Sequence, residues 1–153
     1  MPRVIIADTS CFILLTNIDE LDLIHKVYGE ITTTLDIAIE YGEALPDWVT
    51  ISKVVDTNMQ HSLEQQIDKG ESSAITLALE TTHPTIILDD SKARRIAKQL
   101  NLNFTGTIGV IVKANLKEII TSIKPILEKI KQTNFRLTPA IEKEALNEAN
   151  EEQ

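Results

Sequence analysis

The chain has 153 residues, 42% of them hydrophobic, with a formal net charge of -8 and a single cysteine. That length suits one domain whose core needs no disulfide or metal staple, and the apolar content excludes a disordered chain. Cys11 alone excludes a disulfide framework and points to a reducing, cytoplasmic setting, while no apolar run nears the ~18 residues of a membrane span and no signal peptide precedes Val4.

In chain order, Val4-Ile5-Ile6-Ala7 is too short for a helix and lacks polar alternation, which predicts a central strand buried on both faces. Asp8, Thr9 and Ser10 follow, any of which can cap a helix through Cys11 to Leu15. A second helix is expected over Glu20 to Val27 with Gly29 beyond its end. Then come a strand over Ile31 to Thr34 and a helix over Leu35 to Tyr41 stopped at Gly42. Trp48 to Ile51 reads as a strand after the breaker Pro46. Asn58 to Ile67 reads as a polar helix closing at Gly70, and Glu71 opens an apolar-periodic helix that runs to Glu80. Thr85 to Leu88 is the second clear buried strand and ends in Asp89-Asp90. The next helix carries Lys92, Arg94, Arg95 and Lys98 on one face and Ala93, Ile96, Ala97 and Leu100 on the other. A short strand over Asn103 to Thr105 leads through Gly106 into a helix from Thr107 to Asn115. Glu118 to Lys131 and Pro139 to Asn150 are expected as closing helices, with the acidic end from Glu148 frayed. Short β-branched runs alternating with helical spacing predict a three-layer α/β/α fold with a parallel sheet of four to five strands.

Both central strands end in aspartate, and open parallel sheets place their sites at the carboxyl ends of the strands. If the two strands are neighbours, Asp8 converges with Asp89 and Asp90. Like charges 4 Å apart repel by ~1 kcal/mol in water and ~4 kcal/mol at an effective dielectric of 20, a cost that a hard divalent cation with oxygen ligands removes. The competing reading of each aspartate is a simple helix cap. Glu71 is either a favourable charge at a helix N-terminus or a further ligand, and Glu40 is either an ordinary exposed group or part of the same cluster. His25, His61 and His83 are scattered without ligand spacing and read as surface or helix positions.

VIIADTSCFILL at 4–15, AIEYG at 38–42, GESSAITLALE at 70–80 and IILDDSKARRIA at 86–97 resemble the four acidic blocks of PIN domains. GTIGVIVKA at 106–114 resembles the closing block of a bacterial PIN-like subfamily related to the toxins of toxin–antitoxin pairs. The resemblance covers about residues 3 to 116 of a single domain, with C-terminal helices and an acidic tail beyond it. It implies a metal-dependent ribonuclease in which Asp8, Glu40, Glu71 and Asp90 bind Mg²⁺ or Mn²⁺ and a metal-activated water attacks RNA. It further implies that Ser10 orients Asp8, that Asp89 supports the site, and that Thr107 lies near it. Two positions depart from the pattern. Glu71 stands where many relatives carry aspartate, and Ser91 stands where arginine is frequent, so the phosphate contact would fall to the basic face of Lys92, Arg94, Arg95 and Lys98.

The second reading, from a different class, is a catalytically weak PIN-like module that binds nucleic acid or a partner protein such as an antitoxin, or a second copy of itself. The apolar positions between Ile119 and Ile130 then form either a partner surface or a cover for the sheet. The acidity itself does not exclude RNA. The four candidate ligands carry four of the net negative charges, residues 140–153 carry another four, and the remainder is balanced.

Overall fold

The β-branched runs pair into a five-stranded, all-parallel sheet, and a computed structural model describes residues 3–151 of the chain. The strands are β1 (Val4–Ala7), β2 (Ile31–Thr34), β3 (Val49–Ser52), β4 (Pro84–Ile87) and β5 (Asn103–Thr105). Their spatial order is β3-β2-β1-β4-β5, so chain direction across the sheet reverses between β1 and β4. The two strands pair in register from Val4 opposite Pro84 to Ala7 opposite Ile87. Ile6, Ala7, Ile86 and Ile87 are fully buried, as expected for strands covered on both faces. Each isoleucine so buried stabilises the fold by about 1.5–3 kcal/mol.

Helices flank the sheet in three layers: α1 (Thr9–Asn17), α2 (Asp22–Tyr28), α3 (Leu35–Tyr41), α4 (Thr57–Leu63), α5 (Lys69–Leu79), α6 (Ser91–Gln99), α7 (Thr107–Leu116), α8 (Lys124–Lys131) and α9 (Pro139–Glu148). Helix α5 packs across β4, β1 and β2 and is buried from Ser72 to Ala78. The α3 helix begins at the cap Thr34, whose hydroxyl accepts from Ile37 N, and stops at Gly42 in the left-handed region (φ 76°).

The larger differences from the sequence reading lie between α4 and α5, at the start of α8 and at the chain end. Helix α4 ends at Leu63, and Gly70 closes nothing: it lies in the first turn of α5, which starts at Lys69 rather than Glu71. The helix expected from Glu118 begins only at Lys124, because Glu118 adopts a positive φ of 61° and Pro125 is tolerated only in a first turn. The chain end is held as far as Glu151, whose carboxylate accepts from Ser122 Oγ and from Ile123 N at 2.8 Å; residues 152 and 153 lie outside the described residues. Ile123, Ile126, Leu127 and Ile130 are buried in the core, so that apolar face is a cover and not a free surface. Among the described residues no helix is long and apolar enough to cross a membrane.

Candidate functional site

Asp8 sits immediately past β1, where its backbone N–H still donates to Ile87 O of β4 at 3.3 Å. It occupies the N-cap position of α1, yet its side chain makes no capping hydrogen bond, so the cap explanation fails for this residue. It is 3% exposed. Ser10 Oγ lies 3.5 Å from its Oδ2, a long hydrogen bond in which the hydroxyl donates.

Glu40 comes from the last turn of α3. The residue is exposed, but its Oε1 turns inward and accepts from the hydroxyl of buried Thr9, which fastens α3 to the start of α1. Gly70 makes the room for it. A Cβ there would lie 2.7 Å from Glu40 Oε1 and 3.3 Å from Thr9 Oγ1. Glu71 follows in a capping box: its N–H donates to Asp68 Oδ1 at 2.9 Å, and its own Oε1 accepts from Asp68 N. Asp68 was not among the expected site residues. The spacing Asp68-Lys69-Gly70-Glu71 is itself the capping-box signal that could have found it.

At the end of β4 the two aspartates divide. Asp89 accepts from Thr107 N at 2.8 Å and from Thr107 Oγ1 at 2.7 Å, which ties β4 to the start of α7. Asp90 is exposed and caps α6 by accepting from Ala93 N at 2.9 Å. Thr107 is fully buried, and hydrogen bonds to a charged group are worth about 1.5–3 kcal/mol. Thr107→Val should therefore cost roughly that much in urea unfolding, and an unchanged midpoint would mean that the backbone donor alone holds Asp89.

A family model described as DUF3368, a PIN domain, matches residues 4–151. The chain belongs to the PIN-domain family. The match extends well beyond residue 116, through α8 and α9. No curated protein and no solved structure gives a significant match.

In this PIN domain the six acids act on one another. Burial pushes Asp8 up from 3.8 to about 7, with the neighbouring charges of Asp68, Glu40 and Asp89 adding to the rise against a backbone hydrogen bond that lowers it. Burial likewise raises Glu71 from 4.5 to about 8, helped by Asp68, Asp8 and Asp90. Such mutual repulsion is what a bound cation would relieve, and the donors are all hard oxygens suited to Mg²⁺ or Mn²⁺. The donor chemistry thus fits a divalent cation. Among the described residues, however, no three His, Cys, Asp or Glu side chains stand close enough together to form a ready ligand set.

The basic helix α6 is split. Lys92, Arg95 and Lys98 are exposed, whereas Arg94 folds in over the ring of Phe104, with Cζ 5.0 Å from its centroid. The histidines lie elsewhere: His25, for example, stacks on Trp48 with ring centroids 4.8 Å apart. Cys11 is fully buried, and burial raises its thiol far above the ordinary range.

Proposed function

We propose that this PIN domain is a metal-dependent ribonuclease that hydrolyses RNA phosphodiester bonds. The observation that carries the reading is Asp8: a buried, uncapped carboxylate at the sheet's reversal point, raised to about 7 amid other acids. Asp8, Glu40, Glu71 and Asp90 would hold one or two Mg²⁺ or Mn²⁺ ions. When bound, such ions supply a nucleophilic water at neutral pH and neutralise charge on the leaving oxygen.

The chain's own residues set up the rest. Thr9 holds the Glu40 carboxylate inward, Ser10 orients Asp8, and Thr107 fixes Asp89 beside them. Lys92, Arg95 and Lys98 offer exposed positive charge for the phosphate backbone on the helix that Asp90 caps.

In its toxin form the reading adds a cytoplasmic location and an antitoxin protein as partner, with a homodimer as a second assembly to test by size exclusion. The competing reading is a module that binds nucleic acid or a protein with little catalysis. It is favoured by the engagement of Asp89 with Thr107 and of Asp90 with Ala93, which leaves fewer free carboxylate oxygens.

Purified protein with Mn²⁺ and single-stranded RNA separates the two. Cleavage that stops on adding EDTA is the expected result. No cleavage, together with no calorimetric Mn²⁺ binding, would end the nuclease reading.

A further inference from the structure

Beside Asp89 the edge of the sheet opens into a cavity of about 340 Å³, and none of the cleavage chemistry above uses it. Its walls include Asp89, Arg94, Phe104, Phe135, Arg136 and Glu144. Phe104 lies on the edge strand β5, and both phenylalanines are half-buried, so part of each ring remains accessible. The guanidinium of Arg94 lies over Phe104, and its Nε is buried with no hydrogen-bond partner. A buried donor left unpaired is costly and rare in folded chains, and here it belongs to a side chain in the wall of an open cavity.

Gly106 keeps that wall thin. A Cβ there would stand 3.0 Å from Asp89 Oδ1 and 3.8 Å from Arg94 Nη1. The same backbone position thus touches the acid cluster on one side and the guanidinium on the other. A group bound against Arg94 is the immediate neighbour of a group bound at the acids.

Resting on the ribonuclease reading, we propose that this cavity is the subsite for the nucleobase adjoining the scissile phosphate. Unstacked bases bind on aromatic rings and on guanidinium planes, and the cavity supplies both, with Phe104 holding the Arg94 plane in place. A phosphate group is the poorer occupant, because the lining acids Asp89, Glu144 and Glu148 outnumber the lining cations Arg94 and Arg136. Glu144 and Glu148 instead accept from exocyclic amino groups, which adenine, guanine and cytosine carry and uracil lacks. The subsite therefore favours amino-bearing bases over uracil.

The test uses the full-length chain in EDTA, so that binding is read without cleavage, and follows the anisotropy of fluorescein-labelled RNA hexamers. Hexa-adenylate should bind about tenfold more tightly than a hexamer of abasic ribonucleotides, and more tightly than hexa-uridylate. Phe104→Leu and Phe135→Leu keep apolar volume but lose the π face. Each should weaken hexa-adenylate about five- to tenfold and leave the abasic hexamer unchanged, in protein whose thermal midpoint shows it folded. Equal affinity for hexa-adenylate and the abasic hexamer would overturn the subsite, as would leucine variants that bind both as the parent does. Cleavage with Mn²⁺ but no base preference removes the subsite and leaves the nuclease. Base preference without cleavage under any divalent metal does the reverse.

Discussion

Asp8→Asn should lower metal-dependent RNA cleavage by about a thousandfold or more, and should also make the metal-free protein harder to unfold at pH 8. The first effect follows from the several kcal/mol that a bound cation contributes to phosphoryl chemistry, since about 4 kcal/mol is a thousandfold. The second follows from burial. In the unfolded chain Asp8 ionises near 3.8, whereas in the fold it holds its proton to about pH 7. Between those values the folded state binds the extra proton. The stability it contributes is therefore complete below about pH 4 and is lost as pH rises through 7. A shift of about three units corresponds to roughly 4 kcal/mol at the upper end. Glu71, raised to about 8, adds a slope of the same sign, reduced by solvent because it is only half-buried. Urea unfolding in EDTA at pH 5 and pH 8, parent against variant, isolates the Asp8 contribution. A parent and a variant with the same pH dependence would show that Asp8 is not the titrating group. A variant that still cleaves at the parent rate with Mn²⁺ would remove Asp8 from the metal site.

Gly70→Ala should lose about a hundredfold in cleavage with little loss of stability. The added methyl would sit 2.7 Å from Glu40 Oε1, closer than atoms tolerate, and the yielding partner is the far end of a flexible side chain. Glu40 then swings out and releases Thr9. A displacement of about 1 Å at a reacting centre costs on the order of a hundredfold. Gly70 is buried in the first turn of α5, so alanine's better helix propensity, at most about 0.8–1.0 kcal/mol in a helix interior, offsets only part of the packing strain. Thermal unfolding and Mn²⁺ titration calorimetry together check the result. An alanine variant with parent-like metal affinity and rate would show that the Thr9–Glu40 contact does not shape the site. Glu40→Gln, which keeps the contact and loses the charge, tells whether Glu40 serves by position or by ligation.

The buried strands were legible because Val4–Ala7 and Thr85–Leu88 are apolar without alternation, which leaves no solvent face. Helix α3 was legible from its stop at Gly42, while its cap Thr34 is hidden at the end of a β-branched run. What escaped was tertiary. Nothing local to residues 63–70 says whether Gly70 ends one helix or makes room inside the next; the answer is Glu40, thirty positions earlier. Asp68 escapes a reading that ends a helix at Gly70, although its spacing to Glu71 is a capping box. Arg94 shares a helical face with three exposed cations, and that face shows direction but not the Phe104 ring at its edge. Asp89 and Asp90 are adjacent in sequence, yet one turns to Thr107 and the other caps α6, a division set by where α7 begins.

The hydrogen bonds from Thr107 to Asp89 also set a calendar for synthesis. A growing chain places Asp8, Glu40, Asp68 and Glu71 in order, but β4 must still add to the open edge of β1, and Asp89 lacks its Thr107 donors until residue 107 has left the ribosome. Parallel pairing between distant segments forms late and as a unit. A fragment ending before α7 lacks both donors that hold Asp89, so a chain still being made carries the acids before this one is fastened.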